Sequence, residues 1–235
     1  MSSSKKLRVD ILSIFPEAVE PYLQTSMLKR GQEKKLLDLR VHQLRTWTHD
    51  THQSVDDKPF GGGPGMVMKV QPFHEALVAL RVRTKEGERS RTAKKTRVIL
   101  TSAKGKLFSQ QDARRLMRYE RLVFLCGRYE GVDERVATEL VDEELSIGPY
   151  VLTGGELAAL VMTDAVARLR SGVLGAQESL EQESYDAEGV LEYPQFTRPE
   201  EYIVSKKKKW SVPKILLSGN HQKIAEWRRG SSKSL

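Results

Sequence analysis

The chain has one cysteine, Cys126, in 235 residues, so no disulfide can form within it. That excludes the disulfide-stapled scaffolds of small secreted proteins and fits a reducing compartment. Long hydrophobic runs are missing as well: none approaches the ~20 apolar residues of a membrane span. Met1 to Lys6 leads into a strand-like segment carrying Arg8 and Asp10 rather than a signal-peptide core. The expectation is a soluble, cytoplasmic protein without a membrane partner. The usual phosphate and metal templates are also missing. The glycine-dense loop Phe60-Gly61-Gly62-Gly63-Pro64-Gly65-Met66 is followed by no Gly-Lys-Ser/Thr and lacks G-x-G-x-x-G spacing. His49, Asp50, His52, Asp56 and Asp57 match no zinc spacing and read as a polar loop, so no metal is expected.

Hydrophobic residues make up 39% of the chain, enough for a genuine core, and the formal net charge is +8. That charge is unevenly placed: Lys206 to Leu235 holds nine Lys/Arg and one acidic residue, and the remainder balances. A second cluster, Arg81 to Arg97, sets eight basic residues against Glu86 and Glu88. Such clustering is the footprint of a polyanionic partner, although solubility alone can also favour it.

Leu7 to Phe15 reads as a strand stopped at Pro16, with a helix running on through Leu28. Leu39 to Leu44, Arg97 to Thr101 and Arg121 to Cys126 read as further strands, and Ser109 to Tyr119 as a helix with Ser109 as its cap. This alternation is the pattern of an α/β layer with a largely parallel sheet. From Gln177 to Glu201 there are eight acidic residues against Arg198 and no clean apolar period, a linker by composition, expected to be disordered without a partner. Gln222 to Arg229 reads as a helix of a small appendage.

Ser146 to Glu156 runs from an apolar strand through Gly154-Gly155 into a helix start, a place where backbone can touch a ligand. A simple strand-to-helix turn has the same pattern, and the Phe60 to Met66 loop is open to the parallel reading of a flexible linker. Leu125 to Asp133 places Gly127 and Glu130 just past a buried strand's carboxyl end, where α/β sheets bind ligands. Cys126 reads as a buried thiol, not a nucleophile. Asp164 and Arg168, four apart on one helix, are either an exposed ion pair or a pair turned toward the glycine-loop cleft.

Six stretches, Val55 to Met66, Cys126 to Val132, Ile147 to Glu156, Gly172 to Gly175, Tyr193 to Pro199 and Leu216 to His221, resemble the bacterial tRNA (guanine-N1-)-methyltransferases, the TrmD family of the SPOUT superfamily. The resemblance covers nearly the whole chain, with these stretches in order and at similar spacing. The resemblance implies an α/β fold with a parallel sheet tied into a trefoil knot, plus a small helical C-terminal domain. It divides the chain into a catalytic domain (1–176), a flexible linker (177–201) and a basic helical tRNA-binding domain (202–235). It implies a homodimer using S-adenosyl-L-methionine to methylate N1 of the guanosine just 3′ of the anticodon.

Carried over by position, the cofactor pocket comprises Thr101, Ser102, Gly127, Tyr129, Glu130, Ile147, Gly148, Pro149, Tyr150, Val151, Leu152, Gly154 and Gly155. Arg168 matches the catalytic arginine, a forked cation suited to charge growing on O6. Ser179 matches a serine near the target base, with Asp164, Gly61, Gly62 and Gly63 on the substrate side. Lys206, Lys207, Lys208 and Lys209 are assigned to tRNA phosphates, which position without specifying sequence. The catalytic carboxylate falls on Glu183 where family members carry aspartate, and about one extra residue before Gly189 keeps Asp186 as a rival. Phe60 and Ala103 depart from tyrosine and proline, and fewer residues follow Trp227 than in many members. A non-catalytic RNA-binding protein and a methyltransferase for another RNA stand as alternatives.

Overall fold

The computed structural model describes residues 6–174 and 192–232. The chain forms two units, Met1–Gly175 and Ala176–Leu235. In the first, β1 (Leu7–Ser13), α1 (Glu20–Leu23), α2 (Ser26–Glu33), β2 (Leu37–Gln43), the short strands β3 (Asp56–Asp57) and β4 (Val67–Met68), and α3 (Val70–Ala79) come in order. There follow β5 (Thr96–Leu107), α4 (Gln110–Leu116), β6 (Arg121–Cys126), β7 (Glu143–Ser146) and α5 (Glu156–Ala167). The second unit holds the antiparallel hairpin β8 (Glu201–Ser205) and β9 (Lys208–Ser211) and the helix α6 (His221–Ser231).

Five strands form one wholly parallel sheet in the order β2-β1-β6-β5-β7. Both faces are covered, as parallel sheets require, and the apolar runs are continuous in the central strands β5 and β6, whereas β1 carries Arg8 and Asp10 and the edge strand β2 carries Asp38 and Arg40. One face packs Leu7, Val9, Ile11, Leu122 and Phe124 against Ala159, Met162 and Val166 of α5. The other packs Leu12, Val98, Leu100, Val123 and Leu125 against Phe73, Ala76 and Leu77 of α3.

The register brings the strand ends together. Leu12 lies opposite Leu125, and Cys126 opposite Thr101, so the loops after β1 and β6 and the middle of β5 emerge along one edge. There β5 breaks its pairing with β7 between Thr101 and Lys106, so the chain bulges out at Ser102 to Gly105 before pairing resumes.

The α/β reading holds, and so does the cap at Ser109. Asp112 N–H donates to Ser109 Oγ at 3.3 Å and Ser109 N–H to Asp112 Oδ2 at 3.2 Å, a reciprocal capping box. The single helix expected from Pro16 to Leu28 is instead a turn at Pro16–Ala18, then α1, then α2. Pro21 lacks the N–H a helix already under way needs, so it sits in the first turn of a new one.

Candidate active site

A cleft of about 430 Å³ opens at the carboxyl edge of the sheet. Three segments wall it: Leu100 to Lys104 at the bulge of β5, Gly127 to Val132 after β6, and Ser146 to Gly155 between β7 and α5. Thr101, Ser102, Gly127, Tyr129, Glu130, Ile147, Gly148, Tyr150, Val151, Leu152, Gly154 and Gly155 all line it. Pro149 of the same loop does not. Residues far apart in sequence thus meet as the strand register demands.

The glycine pair sits where the chain has no room for a side chain. A Cβ on Gly154 meets the Arg128 side chain and Glu156, and one on Gly155 meets Thr101 Oγ1 and the Cys126 backbone. Gly155 N–H donates to Gly127 C=O at 2.9 Å, pinning one cleft wall to another. The requirement for bare backbone therefore comes from the protein's own packing as well as from any ligand.

Behind this contact lies a group that the sequence reading did not single out. Glu156, the first residue of α5, is 2% exposed. Its Oε1 accepts from Ser13 Oγ at 2.5 Å, and its Oε2 accepts from Arg128 Nε at 3.0 Å. Arg128 also reaches Thr153 C=O and lies over the Phe15 ring at 4.7 Å. One carboxylate thus ties the loops after β1, β6 and β7. Ser13 and Glu156 are 143 residues apart, so no local pattern announces the pair.

The second glycine loop is docked beside the cleft. Gly61, Gly62, Gly63 and Gly65 all have positive φ, a backbone that other residues adopt only under strain. A Cβ on Gly65 meets the Glu130 side chain, and Glu130 N–H donates to Met66 C=O at 3.0 Å. At the loop's start Phe60 is 99% exposed.

Arg168 caps α5, its N–H donating to Asp164 C=O at 3.1 Å, and the side chain is half-buried. The Asp164 carboxylate lies by Tyr22, whose phenol its charge pushes above the usual value. Cys126 is fully buried, and desolvation, with the charge of Glu156, raises its thiol far above the ordinary value. Burial of this kind makes a structural thiol and disfavours a thiolate nucleophile. His49 pairs with Glu75 and Asp50 with Ser54, and no cluster suited to a metal occurs among the described residues. Ser179, Glu183 and Asp186 lie outside the described residues. Lys206, Lys207, Lys208 and Lys209 sit on the exposed hairpin of the second unit.

Residues 7–234 match the family model described as "tRNA (Guanine-1)-methyltransferase TrmD". A protein of Citrifermentans bemidjiense named tRNA (guanine-N(1)-)-methyltransferase is 49% identical over 223 residues, 95% of this chain and 84% of that protein. Proteins of the same name from Geobacter metallireducens and Dehalococcoides mccartyi are 48% and 44% identical, again covering 95% and 96% of this chain and 85% and 86% of theirs.

Proposed function

The chain belongs to the tRNA (guanine-1)-methyltransferase family, and from that premise we propose how its cleft methylates guanine. The activity is methylation at N1 of guanine in tRNA, and the nucleotide we assign as its target is the one immediately 3′ of the anticodon. The observation that carries the site is the convergence of twelve positions from three segments on one cleft, Pro149 alone standing off it.

The cleft suits S-adenosylmethionine as the methyl donor. Its volume of about 430 Å³ is that of a small-molecule site. Leu100, Ile147, Leu152 and Ala158 offer apolar walls, and Gly127, Gly154 and Gly155 bring bare backbone to the cleft surface. The donor, when bound, supplies an electrophilic methyl group on a sulfonium.

The remaining work falls to side chains. Guanine N1 carries a proton at neutral pH, so a base must take it as the N1–C bond forms, while charge grows on O6. Arg168 is assigned to O6 as a permanent cation with forked donors. Glu183 is assigned the proton, with Asp186 as its rival, and Ser179, Asp164 and the loop at Gly61, Gly62 and Gly63 bear on the base. Lys206 to Lys209 are assigned to phosphates of the tRNA.

A homodimer is supported by the outer face of α5. Leu157 and Val161, one turn apart, are 58% and 48% exposed, and Tyr22, near Asp164, is 47% exposed. Apolar side chains left exposed on an otherwise buried helix call for cover, and a second copy of this face supplies it. No helix among the described residues is long and apolar enough to cross a membrane, and a tRNA substrate fits the cytoplasm.

The test is single-turnover methyl transfer with product mapping by mass on a tRNA transcript that has guanosines at and beside the anticodon. N1-methylguanine at the 3′-adjacent position is expected. Glu183→Gln slows transfer by roughly 10²-fold or more with donor binding retained. Loss in Asp186→Asn but not in Glu183→Gln moves the base to Asp186, and no methylation at N1 overturns the reading.

A further inference from the structure

The hairpin β8–β9 carries an aromatic surface of its own. Tyr202 lies opposite Trp210, and their rings stack with centroids 5.8 Å apart and planes 28° apart. Large aromatic side chains gain most when buried, yet these two are 56% and 59% exposed. Residues two apart on a strand share a face. Lys208 therefore stands on the face of Trp210, while Lys209 stands on the reverse face, where its Nζ pairs with Glu201 at 2.7 Å. Of the hairpin's lysines, Lys209 alone has an ion pair among the described residues. Lys206 and Lys207 form the turn at the hairpin's tip.

We propose that the Tyr202–Trp210 stack is a platform for one unpaired nucleobase of the RNA, with Lys207 and Lys208 on the phosphates beside it. The proposal rests on the reading of tRNA as substrate and names a contact that the methylation chemistry does not require. Two features select this occupant. A flat, solvent-facing ring pair matches the π-face of any base, and stacking of this kind tolerates sequence. The lysines beside it complement a polyanion, and an apolar peptide offers them nothing. Only an unpaired base can present its face, so the contact belongs to the loop of the anticodon arm and not to its stem.

The test is binding of a fluorescently labelled anticodon stem-loop RNA to the full chain, by anisotropy over a range of salt. Trp210→Ala is expected to weaken binding about tenfold with the salt slope unchanged, and Trp210→Phe to retain most of the affinity. Lys208→Gln is expected to flatten the slope by up to about one unit instead. An abasic scan of the loop against the unmutated protein needs no folded variant. One abasic position should weaken binding as much as Trp210→Ala does, and combining the two should cost little more. If no abasic position has this effect, or if Trp210→Ala binds as the wild type does, the platform is overturned. If the loop RNA depends on Trp210 while no N1-methylguanine forms, the platform stands and the methylation reading falls.

Discussion

At Glu156 a single carboxylate holds Ser13, Arg128 and, through Arg128, the carbonyl of Thr153. Removing its charge leaves the Arg128 guanidinium half-buried without a counter-ion, and such losses are larger than the net worth of the pair. Two of the segments it joins, those of Arg128 and Thr153, are walls of the cleft, so the effect should read out in donor binding before chemistry. Glu156→Gln is expected to raise KM for S-adenosylmethionine about tenfold while kcat at saturation falls much less, a split that marks lost ground-state binding. Ser13→Ala, which removes one hydrogen bond to a charged group, should destabilise by about 1.5–3 kcal/mol in urea titration. Ser13→Thr, which keeps the hydroxyl, should recover most of that loss. Unchanged KM in Glu156→Gln means that the carboxylate serves the core alone.

Among the elements, β5 and β6 were legible because branched apolar residues run unbroken through Val98 to Leu100 and Leu122 to Leu125, β1 because Leu7, Val9, Ile11 and Leu12 keep it apolar around Arg8 and Asp10, and α4 because its cap chemistry is local. The hairpin β8–β9 was not legible. Its residues Glu201 to Ser211 are all exposed, with no buried face to impose an alternating pattern. The division of the first helical stretch was open to a reading of Pro21, an interior proline that the period of the apolar residues hides. The cleft was legible in its glycines, which mark where backbones approach, but not in the long-range tie between Ser13 and Glu156. The α5 helix adds a prediction of its own. Val161→Glu places a charge in the middle of its exposed apolar strip, which tolerates it in a monomer but not under a second copy. Sedimentation equilibrium should show a dimer for the wild type and a shift toward monomer for the variant. A monomer in both removes the assignment of this face.

Over the whole first unit, stability depends on a charge buried in the middle of the sheet. Asp10 is fully buried, and its desolvation alone raises the pKa. Hydrogen bonds from His42, Arg8 and Arg121 outweigh that and hold the carboxyl far below the usual carboxylate range. A depressed folded pKa gives stability that is present above the unfolded value, about 3.9, and lost as pH falls through the folded one. Asp10→Asn should therefore cost about 3 kcal/mol at pH 7, and the gap to wild type should narrow steadily below about pH 4. Denaturant midpoints measured against pH check both statements.

The account turns on the cleft at the carboxyl edge of the sheet being the methyl donor's site. Calorimetric titration of S-adenosylmethionine into the wild type and into Gly154→Val tests that most directly. A valine there meets the Arg128 side chain and the Glu156 carboxylate, so the ion pair behind the cleft wall, or the wall itself, must shift. The account predicts saturable binding to the wild type and affinity at least about tenfold weaker in the variant, with a native circular dichroism spectrum. Equal affinity in the two, with the variant folded, contradicts it.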